Sequence, residues 1–289
     1  MLTGGAVDAS AWVGRWPFRA LRADALPDLE ALLVQNGITG AVVASLDAVL
    51  CPDPMVRNEP LLREIARRGP GFDWIATAVI DPTLGGWEKM AGACLALGAR
   101  CLKLVPTYHL YPLTDAGLAR TDGLGVPWVR QAARDGLAAV DRLCRLAAAR
   151  QVPVALQVRL EDERAHHPLM RVPGLPAQEV AALAQRHPDG RFVVCGATNA
   201  ELPPLRARNI WVEISFVESE DTLAGALAHV APDRLLLGTH APFFYPAVGV
   251  AKVVAADVSA GIRHGVGRGN AEALWPVVGS PGQDRPGGR

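Results

Sequence analysis

Residues 7–14 read VDASAWVG, a run of small, β-branched and aromatic residues that stops at a glycine, as a short buried strand does. Seven further apolar, β-branched runs follow, so strands are expected near 6–12, 40–45, 74–80, 100–106, 153–159, 191–196, 209–216 and 234–239. Segments of helical period lie between them: LPDLEALLVQNG (26–37), NEPLLREIARRG (58–69), GWEKMAGACLALG (86–98) and GLAAVDRLCRLAAAR (136–150). Several end at or near a glycine able to take the left-handed cap conformation. Strand and helix in alternation build a parallel sheet. Eight such units in 289 residues predict an α/β fold, a single-domain (β/α)8 TIM barrel over 1–278. A doubly wound open sheet is the other arrangement, but no GxGxxG or GxxxxGKS/T follows a strand. The glycine- and proline-rich end, 279–289, is expected to be disordered.

Composition narrows the partners. Hydrophobic residues make up 50% of the chain, enough for a substantial core, and 29 basic residues balance 29 acidic ones. No net field favours nucleic acid or an anionic membrane, so a small-molecule substrate is expected; association with further copies of the chain is left open. Five cysteines, odd in number and without a CxxC pair, point away from a disulfide framework and a zinc knuckle. With no signal-like N-terminus and no apolar run approaching ~18 residues, a cytoplasmic location is expected.

Three stretches share one register: Asp8 followed by ASAWVG, RLLLGTHAP at 234–242, and GRGNAEALW at 267–275. The arrangement resembles the amidohydrolase superfamily, in particular its amidohydrolase-related branch. In that branch the first strand reads DxHxHxG, the eighth ends in GSDxP, and the final helix opens on an Asn-Ala pair. The resemblance implies a barrel hydrolase, or the related decarboxylase, with its site at the C-terminal ends of the strands. It also exposes departures. Ser10 and Trp12 stand at the two first-strand histidines, and His240 stands at the eighth-strand aspartate. The fifth strand offers Gln157 and Arg159, and the sixth Cys195 and Gly196. A catalytic divalent metal needs at least three converging ligands, so no metal and no other cofactor is expected. The alternative is a relocated metal held by some of Asp162, His166, His167, His109 and His240.

The remaining candidates come from strand ends and the loops after them. His240 supplies an imidazole suited to proton transfer, Asp162 a carboxylate to orient it or a water, and Lys103 in RCLKLVP a cation. These three form the expected catalytic set. Arg159 is expected to clamp a substrate carboxylate, or else to pair with Glu161, Asp162 or Glu163. Trp12, Ser10, His109, Tyr108 and His166 are further candidates for the pocket wall. Glu213 in IWVEISFVE joins them if it faces inward, where Lys103 or Arg159 would be its natural partner. The long connections 107–127 and 160–175 are candidate lids. The expected function is a metal-independent amidohydrolase-like enzyme hydrolysing an ester, lactone or amide, or decarboxylating a small carboxylate-bearing substrate. The alternative is a non-catalytic descendant that binds a ligand or partner on the same face.

Overall fold

The computed structural model describes residues 4–122, 127–166 and 171–276. His167 and the segment 279–289 lie outside the described residues. Eight strands follow one another in a single parallel sheet: β1 (Ala6–Val13), β2 (Ile38–Ser45), β3 (Asp73–Val79), β4 (Cys101–Leu104), β5 (Val154–Gln157), β6 (Phe192–Cys195), β7 (Ile210–Glu213) and β8 (Leu235–Leu236). The Ala9 N–H donates to Leu237 O and the Trp12 N–H to Ala241 O, each at 2.8 Å, joining β1 to the segment after β8. With helices outside and strands inside, this is the (β/α)8 barrel that the periodicity predicts. Among the described residues no helix is long and apolar enough to cross a membrane.

The later strands end sooner than their apolar runs imply, and the reason is chemical. Beyond β6 and β7 the N–H groups of Gly196 and Ser215 donate to the Glu213 carboxylate, at 2.6 and 2.7 Å. Beyond β8 the Thr239 N–H donates to Asp8 at 2.9 Å. Side-chain carboxylates thus replace the neighbouring strand as acceptors. The connection 107–127 is largely helical, with helices at Pro106–His109 and Asp115–Asp122. The helix predicted over 136–150 starts earlier and runs from Pro127 to Ala149. Gly37 and Gly98 do adopt positive φ, 74° and 97°, where the first and third helices end.

The barrel interior is layered, because inward positions recur every second residue on each strand. At the N-terminal end Val7, Val42, Ile75, Cys101, Ala155, Val193 and Leu236 pack with Trp275 from the final helix. One step higher, Thr77, Lys103, Gln157 and Glu213 are buried polar positions. Above them Trp12, Ala44, Val79, Val105, Leu160 and Phe243 form a second apolar cluster with Trp16. A polar layer is held between two apolar ones. Trp275 is 1% exposed and plugs the lower end, so Trp275→Ala is expected to lower stability by about 3–5 kcal/mol. A shift of the urea midpoint measures it, and an unchanged midpoint would show that the plug carries no load.

Candidate functional site

Asp8 joins the two ends of the barrel wall. Its carboxylate accepts from the Ser10 N–H and the Thr239 N–H, both at 2.9 Å, and through a short bond from the Thr239 hydroxyl. Burial raises its pKa above the ordinary carboxylate range, although these bonds and the nearby Lys103 charge oppose the rise. Glu213 also faces inward and is fully buried. Its carboxylate accepts from Gly196, from the Ser215 N–H and from the Ser215 hydroxyl, and burial again pushes its pKa up. The expected cationic partner, Lys103 or Arg159, is replaced by these donors, because the turns after β6 and β7 bring their N–H groups within reach. The Ser10 hydroxyl lies against the Cys195 thiol, which burial pushes up to about 11, so that thiol is neutral near pH 7.

Lys103 is 3% exposed, and its nitrogen sits 4.1 Å from the centre of the Trp12 ring, which is itself 0% exposed. Among the described residues Lys103 makes no hydrogen bond or ion pair; its contact is the indole face. His240 is 0% exposed and takes a positive φ of 55°. Its Nε2 is 2.6 Å from Leu160 O, and a carbonyl only accepts, so the proton lies on Nε2. Nδ1 then carries a lone pair and has no hydrogen-bond partner among the described residues. Phe243 stacks on the ring at 5.0 Å, with Phe216 at 5.1 Å and Phe244 at 5.4 Å. Burial, helped by the Lys103 and Arg19 charges and opposed by the Leu160 bond, lowers the imidazole to about 3. The ring is neutral at physiological pH.

Arg159 and Asp162 line a separate cavity of about 370 Å³ at the C-terminal face, together with Phe216 and Phe244. Those two phenylalanines also touch His240, so they stand between it and the cavity. The Arg159 guanidinium is engaged in bidentate fashion by Glu201, at 2.6 and 2.7 Å, and reaches Glu163 at 3.4 Å. Neither Glu161 nor Asp162 is its main partner. Glu201 lies 42 residues away, where sequence proximity gives no signal. Asp162 caps the short turn Glu163–Ala165 and pairs with Arg164 at 2.6 Å. His109 bonds Val49 O at 2.8 Å and lies 4.0 Å from Asp81; Tyr108 packs edge-on against Trp16; His166 accepts from the Val172 N–H. The structure therefore groups Lys103, Trp12 and His240 at the centre and Arg159 with Asp162 outside the phenylalanine screen, with His109 and His166 apart from both. Thr239, Glu201 and Phe216, which contact Asp8, Arg159 and His240, are residues that sequence reading passed over. Only Thr239, beside His240 in GTHAP, stood within a motif.

A family model described as Amidohydrolase matches residues 16–277. The chain belongs to the amidohydrolase family. Among solved structures it resembles 2,6-dihydroxybenzoate decarboxylase from Rhizobium, with 17% identity, a TM-score of 0.61, and 94% of this chain and 98% of that one covered. It also resembles 5-carboxyvanillate decarboxylase LigW from Sphingomonas paucimobilis, with 13% identity, a TM-score of 0.64, and 95% and 99% covered. A third is a dihydroxybenzoic acid decarboxylase from a Polaromonas species with bound manganese and the inhibitor 2-nitroresorcinol, at 14% identity, a TM-score of 0.59, and 94% and 96% covered. At these identities the likeness is one of fold. No curated protein matches the chain.

The Arg159–Glu201 pair carries a pH signature. Burial pushes the Glu201 carboxyl up, but hydrogen bonds and charge from Arg159, with bonds from Thr198, outweigh it and leave the pKa below the ordinary carboxylate value. A depressed carboxylate contributes stability that is complete above the unfolded value of about 4.3 and is lost as pH falls through the folded one. Glu201→Gln is expected to lower stability at pH 7 and to lose less than the parent on acidification. Urea midpoints at pH 7 and pH 3 test this, and equal losses in both proteins would rule out the pair as a source of acid sensitivity.

Proposed function

We propose that this chain is a metal-independent enzyme acting on a small carboxylate-bearing substrate, by decarboxylation or by hydrolysis of an ester, lactone or amide. Lys103 and His240 are its reacting pair. One observation carries the reading: a buried lysine with no ion pair or hydrogen bond among the described residues lies within the field of a buried histidine whose Nδ1 is unpartnered. An unpaired buried charge costs several kcal/mol, and such costs concentrate where a site needs them. The aromatic acids in the names of the similar decarboxylases supply the substrate class proposed here.

A substrate carboxylate entering the polar layer pairs with Lys103. Its negative charge also raises the neighbouring imidazole from about 3, so that binding itself prepares His240 to hold a second proton. In a decarboxylation the bond from carbon to carboxylate breaks, CO2 leaves, and the electron pair left on carbon takes the proton held at Nδ1. In a hydrolysis the Nδ1 lone pair accepts a proton from water as the water oxygen bonds to the acyl carbon; the acyl C–O or C–N bond then breaks, and the leaving group takes the proton back from Nδ1. Arg159, locked by Glu201, helps shape the outer cavity, and Asp162 lines it.

The donor set is a poor match for a divalent metal. Trp12 and Lys103 fill the centre, both inward carboxylates are occupied by N–H and O–H donors, and the Cys195 thiol is neutral. Among the described residues no three His, Cys, Asp or Glu side chains converge to hold a metal, so the relocated set finds no support there. The closed upper layer, with Trp12 and His240 at 0% exposure, favours one second reading: a non-catalytic descendant that binds on the same face.

Incubation with hydroxylated benzoates and their esters in the presence of a chelator separates the readings. Release of CO2 or of the free acid is expected to persist in chelator. Lys103→Met should lower kcat/KM by about a hundredfold or more. His240→Asn, chosen because asparagine tolerates the positive φ, should lower kcat more than it raises KM. Turnover that requires added zinc or manganese would overturn metal independence. A folded protein that turns over nothing in the panel would leave the non-catalytic reading.

A further inference from the structure

We propose that the groove between the loops after β1 and β2 is a binding site for a small molecule carrying a carboxylate on a planar apolar body. It is separate from the barrel centre and does not rest on the activity proposed there. The cavity measures about 820 Å³, within the range of roughly 300–1,000 Å³ that small-molecule sites occupy. Three guanidinium groups, from Arg15, Arg19 and Arg57, line it against two carboxylates, from Asp24 and Asp47.

The cations are unequally occupied. Arg19 donates to Phe243 O at 2.9 Å and lies 5.2 Å from the centre of that ring. Asp47 already accepts from the Arg15 N–H at 3.1 Å. The Arg15 and Arg57 side chains make no hydrogen bond or ion pair among the described residues, so two forks are free for an anion. A guanidinium matches a carboxylate edge-on through paired N–H groups.

The same wall offers a flat apolar surface. Phe18 is 56% exposed and Leu50 46%, and both line this cavity. Phe18 packs edge-on against Trp16 at 5.4 Å, and Trp16 lines the cavity while its buried indole nitrogen lacks an acceptor among the described residues. Free forks beside exposed aromatic surface fit a ligand with charge at one end and a ring at the other. A purely apolar ligand would leave the guanidinium groups unused, and a bare anion would leave Phe18 and Leu50 uncovered.

Calorimetric titration of the full chain with 2-naphthoate and with its methyl ester tests the site. The acid is expected to bind saturably at the groove, the ester there at least tenfold more weakly. The double variant Arg15→Gln/Arg57→Gln should weaken the acid about tenfold or more. Phe18→Ser, a second surface change, should weaken both ligands. In the Lys103→Met background, which removes the cation proposed to hold a carboxylate at the barrel centre, one saturable site for the acid should remain, which separates the groove from that centre. No saturable binding at millimolar ligand, equal affinity for acid and ester, or a loss confined to Lys103→Met would each overturn the proposal. Circular dichroism establishes that the variants fold.

Discussion

The bond set around Asp8 is the constraint on which the rest of the molecule depends. A barrel closes only if its last strand is registered against its first, and here a two-residue β8 leaves little ladder for that purpose. The Asp8 carboxylate takes over, binding the backbone and hydroxyl of Thr239 while also holding the Ser10 N–H of its own strand. Closure and site placement are therefore one event: the residue after Thr239 is His240, turned into the left-handed conformation and pressed against Leu160 and three phenylalanines. Glu213 does similar work one strand earlier, and Gly238 is required beside it, because a side-chain carbon there would overlap its carboxylate.

These two carboxylates also explain the electrostatics of the interior. Each is surrounded by protein donors and makes no ion pair among the described residues, and Lys103 contacts the indole of Trp12. The stacking of apolar, polar and apolar layers keeps water from Lys103 and His240 and makes their unpaired state expensive. A neutral imidazole lies within the field of an ammonium that makes no ion pair among the described residues, which is the balance that an entering carboxylate would change most.

At the mouth, arginines of the same type have different fates because of their neighbours. Arg159 is held by a glutamate from the loop after β6 and belongs to the framework of that face. Arg15, on the loop after β1, and Arg57, in the first turn of the helix after β2, make no such pair among the described residues. Charge available for binding is thus concentrated on one side of the face.

Periodicity and residue type alone determined the number of strands, their alternation with helices, the barrel and the place of Lys103 in the fourth strand, since these follow from local pattern and a period of two. The substitutions Ser10, Trp12 and His240 were legible through the resemblance to the amidohydrolase-related branch, whose first- and eighth-strand motifs these positions match. Tertiary structure decided what those side chains meet. Arg159 was expected to hold a substrate and instead meets Glu201 across 42 residues of chain; Glu213 was expected beside a cation and instead accepts from backbone N–H groups. Strand ends moved for a like reason, as carboxylates captured N–H groups that a ladder would have used. Side-chain pairing across a barrel depends on which strand ends converge and on how each turn aims its donors, and neither is encoded in spacing along the chain.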